Sequence, residues 1–82
     1  MSNDFRYEIK QRIAVLGQYQ DETKEVNYIS YNGREPKVDI RKWTAQPDGS
    51  KRMGKGITLS LKETQALYEA LKASLEGLPQ IQ

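Results

Sequence analysis

The sequence predicts an α+β domain of order β-β-β-β-α, a four-stranded antiparallel sheet followed by one C-terminal helix. Three features carry this expectation. Period-two alternation recurs in four short stretches, turn-forming residues separate them, and one stretch of helical period opens on a capping signal and closes on a glycine. Four sequential strands with short connections favour an antiparallel meander. No repeat or linker divides the chain, so residues 1–82 are expected to form one domain with its core at about residues 5–77.

The first strand is expected from Phe5 to Leu16. Phe5, Tyr7, Ile9, Ile13 and Val15 share one parity, and Arg6, Glu8, Lys10 and Arg12 take the other, which makes one face buried and one wet. Gly17 to Lys24 is polar and aperiodic and reads as a loop. Glu25 to Tyr31 is the second strand, ending at Asn32-Gly33, a pair that tolerates the positive φ of tight turns. Pro36 stands at the start of the third strand, where a missing N–H does least harm. In that strand, Val38 to Trp43, alternation sends Val38 and Ile40 toward a core and Lys37, Asp39, Arg41 and Trp43 toward water.

The stretch from Ala45 to Gly54 holds Pro47, Asp48 and Gly49 and reads as a turn with a basic flank, after which Lys55 to Leu59 forms the fourth strand with Ile57 and Leu59 inward. Ser60-Leu61-Lys62-Glu63 fits the S-x-x-E capping box and starts the helix. Leu61, Leu67, Tyr68, Leu71 and Leu75 cover an arc of about 120°, while Ala66, Ala70, Ala73 and Ser74 form a small-residue sector that would admit a second backbone. Gly77 ends the helix, Pro79 blocks its continuation, and the tail from Leu78 to Gln82 is expected to be loose.

Composition narrows the function classes. With neither cysteine nor histidine, the chain lacks disulfides, thiolate ligands and the usual zinc and general-base side chains, which argues against a metal-dependent or hydrolytic enzyme and implies no cofactor. No apolar run approaches the roughly 18 residues of a membrane span, and MSNDFRYEIK has no signal-peptide core, so a cytoplasmic location is expected. Net charge is +2, but from Arg34 to Lys62 eight basic residues face only Glu35, Asp39 and Asp48. A local basic surface of this kind is the footprint of a polyanion binder.

Several motifs bear on chemistry. On the outer parity of the third strand a guanidinium and an indole stand two residues apart, about 6.6 Å, a spacing suited to successive nucleotides of an extended strand. The alternative is that Trp43 packs at a sheet edge or an oligomer interface and Arg41 pairs with Asp39 or a neighbouring carboxylate. Gly49 to Lys55 satisfies most of a P-loop, yet Gly56 stands where Ser or Thr should hold magnesium and a strand follows where a helix is required. Gly54-Lys55-Gly56 lets backbone approach a ligand with the lysine unobstructed, or simply makes a bend. No carboxylate pair stands out as acid and base. Tyr31, beside the Asn-Gly turn, is placed to join Trp43 in an aromatic platform or to serve as a cross-strand packing partner.

The run Val38-Asp39-Ile40-Arg41, then Trp43, Pro47-Asp48-Gly49 and Met53-Gly54-Lys55-Gly56-Ile57-Thr58-Leu59, resembles the C-terminal domain of the transcriptional positive cofactor 4 family, and looks most like its small bacterial YdbC-like branch. The resemblance extends from about Phe5 to Leu75. It implies a strongly curved sheet backed by the helix, a homodimer formed largely through the helices, and single-stranded DNA bound across exposed sheet faces. Arg41 matches the family's DNA-contacting arginine, Lys55 the lysine of the glycine-flanked motif, and Tyr31, with a one-residue shift, a stacking aromatic. Trp43 departs from the pattern: the family's stacking tryptophan falls at the position of Thr44, and a one-residue slip reverses the face.

The expectation is thus a dimeric, sequence-tolerant binder of single-stranded DNA, or of RNA. Tyr31 and Trp43 would stack bases, and Arg34, Lys37, Arg41, Lys51, Arg52 and Lys55 would neutralise phosphates. Ala66, Ala70, Leu71, Ala73 and Leu75 would form the dimer interface. The rival is an adaptor whose basic face meets acidic proteins of the transcription machinery.

Overall fold

The computed structural model describes residues 5–77. Strands β1 (Tyr7–Tyr19), β2 (Glu22–Tyr31), β3 (Lys37–Ala45) and β4 (Lys51–Leu59) form one antiparallel sheet in sequence order, and helix α1 (Leu61–Gly77) follows. The β-β-β-β-α order and antiparallel meander agree with the sequence; the bounds do not all agree. Gly17 to Lys24 is not a loop. Gly17, Gln18 and Tyr19 pair with Lys24, Thr23 and Glu22, leaving a two-residue turn in which Gln20 takes φ 56°. These residues look aperiodic because this end of the hairpin is wet on both faces, so no burial imposes alternation. Likewise Lys51 to Gly54 belongs to β4 rather than to the preceding turn. The expected loose tail from Leu78 lies outside the described residues.

The first strand is where alternation fails. β1 spends 13 residues opposite the 10 of β2, and the register slips between Ile9 and Gln11, Arg12 and Ala14, and Val15 and Gly17. Lys10, Ile13 and Leu16 are the extra residues. Each bulge bends and twists the strand and resets its parity. Residues directly opposite one another share a face, so β1 presents Tyr7, Ile9, Arg12, Val15 and Gln18 alongside Tyr31, Ile29, Asn27, Glu25 and Thr23. The face has a period near three, and Ile13 does not join it.

The curl that results is severe. Tyr7 pairs with Tyr31 and Trp43 pairs with Thr23, at opposite ends of β2 and roughly 26 Å apart at about 3.3 Å per residue, yet the rings of Tyr7 and Trp43 are 5.7 Å apart. One face of the sheet is therefore a deep concavity. On it lie the most buried side chains of the described chain: Ile29 and Trp43, with the polar Glu25, Asn27 and Asp39.

This corrects the expectation for β3. Arg41 and Trp43 do share a face, because β3 pairs with β2 without a slip, but that face is the buried one: Trp43 is 2% exposed and Asp39 fully buried, while Val38 and Ile40 opposite are only half-buried. Curvature reversed the assignment, since a concave surface shields even its polar side chains. The other face carries Val26, Tyr28, Ile40, Ile57 and Leu59.

Helix α1 begins as expected. Ser60 Oγ accepts from the Glu63 N–H at 3.1 Å, and Glu63 Oε1 accepts from the Ser60 N–H at 2.8 Å, completing the capping box. The helix contacts only β3 and β4, and none of its residues is buried. Leu61, Tyr68, Leu71 and Leu75 are exposed, as are Ala66, Ala70 and Ala73.

Candidate nucleic-acid interface

The concave face is organised by Asp39. Its carboxylate accepts from Arg41 Nε at 2.8 Å and Nη2 at 2.7 Å, from the Tyr31 hydroxyl at 2.6 Å and from the Thr58 hydroxyl at 2.9 Å, so β2, β3 and β4 are tied at one point. Burial pushes its pKa up, but the hydrogen bonds from Arg41, and then from Tyr31 and Thr58, outweigh that and hold it below the ordinary carboxylate range. Burial pushes the Tyr31 hydroxyl up to about 12, and its bond to Asp39 adds to the shift. The same Asp39 bond holds the Arg41 guanidinium above its usual value.

Arg41 Nη1 also donates to the Gly54 carbonyl at 2.9 Å. That carbonyl is available because β3 and β4 slip by one residue here, setting Gly54 and Lys55 together opposite Lys42. The glycines permit the close approach. A Cβ on Gly56 would lie 2.0 Å from Arg41 Cβ and 2.4 Å from the Ile40 carbonyl oxygen, and one on Gly54 would lie 2.9 Å from the Lys42 carbonyl oxygen. The Gly-Lys-Gly pattern is thus explained by β4 packing on Arg41. The near-match to a P-loop has no such geometry, because Lys55 and Gly56 stand within β4 and not at a helix N-terminus.

A second polar centre lies toward the turn of the β1–β2 hairpin. Glu25, 2% exposed, accepts from Lys51 Nζ at 2.6 Å and the Thr23 hydroxyl at 2.6 Å, with Asn27 Nδ2 at 3.3 Å and Arg12 at 3.7 Å. Burial raises its pKa, and the bonds from Lys51, Thr23 and Asn27 overturn that to leave it lowered. Lys51 is opposite Ala45 and Glu25 opposite Arg41, so the bridge between them crosses β3 at Trp43. It forms a strap over the indole. Among the described residues the indole N–H has no hydrogen-bond partner.

Four aromatic rings run along the concavity. Phe5 stacks on Tyr31 at 6.0 Å, Tyr7 lies 6.4 Å from Tyr31, and Tyr7 lies 5.7 Å from Trp43. Tyr31 and Trp43 do join one aromatic surface, but through Tyr7. The rings open to solvent are Tyr7, 38% exposed, and Phe5, 54% exposed. A cavity of 300 Å³ beside them is lined by Tyr7, Ile9, Arg12, Trp43, Ser50 and Lys51, and one of 450 Å³ adjoins it, sharing Arg12 and Lys51.

The sequence-derived site residues fall into three groups. Tyr31, Lys37, Arg41, Trp43 and Lys51 lie on the concave face. Arg52 and Lys55 stand on the opposite face with Thr44 and Lys42, and Arg34 is exposed in the β2–β3 connection. Tyr7, Phe5, Arg12 and Glu25 were not among the residues expected at the site. The shared parity of Phe5 and Tyr7 signalled a common face, but nothing local signalled that this face would meet β3.

The sequence model of the family described as transcriptional coactivator p15 (PC4) matches residues 19–70. The chain belongs to this family. It is also 40% identical over 74 residues to an uncharacterised protein of Treponema pallidum (strain Nichols), covering 89% of this chain and 84% of that one. The matched PC4 segment takes in β2, β3, β4 and most of α1, hence the Asp39 centre and all of the Glu25 centre but Arg12, whereas β1 up to Gln18, with Tyr7 and Arg12, precedes it. The family is one of non-enzymatic DNA-binding proteins linked to transcription regulation. Among the described residues no helix is long and apolar enough to cross a membrane, and no group of His, Cys, Asp or Glu is arranged to hold a metal ion.

Proposed function

We propose that this PC4-family protein binds single-stranded DNA with little sequence preference, the concave face acting as the binding channel. The aromatic row from Phe5 through Tyr31 and Tyr7 to Trp43 carries the reading, because exposed rings flanked by cationic side chains are what base stacking with phosphate neutralisation requires. Bases stack on Tyr7 and Phe5, with Tyr31 and Trp43 as the second layer. Arg34, Lys37, Lys51 and Arg12 meet phosphates along the channel, and Arg52 and Lys55 meet them at the β4 edge. Arg41, committed to Asp39 and the Gly54 carbonyl, acts mainly as a positioning residue.

The working species is a homodimer. Leu61, Tyr68, Leu71 and Leu75 on α1 are exposed. A 17-residue helix with no buried residue has little to hold it in water, and a second copy supplies the missing apolar partner. Leu71 and Leu75 centre this interface, with Ala66, Ala70 and Ala73 beside them.

Anisotropy of a labelled 20-nucleotide oligothymidine, titrated at two salt concentrations against duplex DNA and oligouridine competitors, tests the proposal. Salt-sensitive binding that duplex competes for poorly supports it, and the oligouridine arm ranks RNA against DNA. Tyr7→Ala should weaken binding by about 1–3 kcal/mol, the value of one stacked base. Absence of binding at low salt would remove the function.

A further inference from the structure

The face opposite the channel carries, beside Arg52 and Lys55 already placed at the β4 edge, two further lysines that the reading above leaves unused. Lys24 on β2 and Lys42 on β3 are directly opposite in the antiparallel ladder, so their side chains leave the same face side by side, a pairing that costs stability. The bulge at Gly54 and Lys55 stands opposite Lys42 and adds a third ammonium from β4. All three lysines are exposed, and among the described residues no carboxylate lies within 4.0 Å of any of them. Three uncompensated cations thus cross three neighbouring strands spaced about 4.8 Å apart.

The row has a surface beside it. A groove of 440 Å³ is lined by Leu16, Gly17, Tyr19, Glu22, Lys24 and Lys42, and a second of 210 Å³ by Lys24, Ile40, Lys42, Lys55 and Ile57. Gly17 stands opposite Lys24 on β1 and leaves open space where a side chain would be, since an added Cβ would meet nothing within 4 Å. At the groove's end the Tyr19 ring is 73% exposed. This is an aromatic ring, an open floor and a cationic row in one line.

We propose that this outer groove is a second subsite for single-stranded nucleic acid, with Lys24, Lys42 and Lys55 engaging consecutive phosphates and Tyr19 stacking a base. The proposal rests on the single-strand reading above and extends it from one face of the sheet to both. The lone acid lining the larger groove, Glu22, lies toward the hairpin turn and away from Lys55, which orients the phosphates toward β4.

The double variant K24Q/K42Q and the single variant Tyr19→Ala test it in the dimeric full chain, by oligothymidine anisotropy over a salt series. Removing a like-charge pair should hold or raise the thermal midpoint, so lost affinity in K24Q/K42Q is not lost folding. Its binding should weaken at least tenfold at low salt, and its slope of log affinity against log salt should fall by about 1.4, two phosphates of a single strand. Tyr19→Ala should weaken binding with an unchanged slope. Wild-type affinity and slope in K24Q/K42Q would overturn the subsite while leaving the channel reading intact. Failure of the wild-type protein to bind would end both. Polyglutamate that displaces the probe from wild type but not from K24Q/K42Q would reassign the row to an acidic protein partner.

Discussion

Replacing Asp39 with asparagine should destabilise the domain more than any other single conservative change. The carboxylate is fully buried and accepts four hydrogen bonds, two from Arg41 and one each from Tyr31 and Thr58. Asparagine keeps the shape but offers one acceptor oxygen, points an N–H₂ at other donors, and leaves a guanidinium with its charge uncompensated. Breaking a buried pair from one side costs about 3–5 kcal/mol, a large part of the roughly 5–15 kcal/mol that holds a domain folded. Urea unfolding followed by the fluorescence of Trp43, the only tryptophan, measures it. The pH dependence gives a second reading. Asp39 has a lowered pKa in the folded state, so its contribution is complete above about pH 4 and is lost as pH falls through the folded value. Tyr31 acts in the opposite sense: with its pKa raised to about 12, its contribution is complete below about pH 10 and is lost as pH rises through that value. The Asp39→Asn variant should therefore show a flatter stability profile at acid pH. If it proves too unstable to measure, Thr58→Val, which removes one donor, should cost about 0.5–1.5 kcal/mol. A loss below 1 kcal/mol in Asp39→Asn with an unchanged acid limb would refute the hub.

Gly56→Ala should cost about 1–3 kcal/mol or more, because the added carbon meets Arg41 and Ile40 backbone atoms that cannot rotate away; Gly17→Ala, with open space around it, is the control that should cost much less by the same urea assay. Glu25→Gln should loosen the Lys51 strap, and the Trp43 emission should shift to the red with greater acrylamide quenching; an unchanged spectrum would mean the strap does not cover the indole. Trp43→Ala should lose about 3–5 kcal/mol of stability, so its effect on binding has to be read at a temperature where circular dichroism shows it folded. Leu71→Glu should convert the dimer to a monomer in light scattering coupled to gel filtration, and a dimer that survives both this change and Leu75→Glu would place the interface elsewhere.

Much of the site was legible because the groups that build it are local in sequence. Asp39 and Arg41 are two residues apart on one strand, and alternation alone puts them on one face with Trp43. The pairing of Arg41 with Asp39, one of the two readings open at the start, is what the structure contains. The capping box at Ser60 and the Asn32-Gly33 turn, with φ of 52° and 76°, were equally local. The partners of those groups were not legible. Glu25 meets Lys51 across 26 positions and Tyr7 meets Trp43 across 36, and no periodicity encodes which strands a curled sheet brings together. The loop expected from Gly17 to Lys24 failed for a related reason: without a core on either side, a paired strand carries no alternation.

The sequence by itself determined the order of elements, the helix start, the family signature in Asp39, Arg41 and Gly54-Lys55-Gly56, and the concentration of positive charge between Arg34 and Lys62. Tertiary structure alone decided which face is buried and which aromatic rings reach solvent. The physical reason is the three bulges of β1: each resets side-chain parity and adds curvature. A sheet bent this far buries the polar face that a flat one would have left to water, while the separate slip between β3 and β4 sets Lys55 on the side of Lys24 and Lys42, away from the channel that Arg41 and Trp43 line.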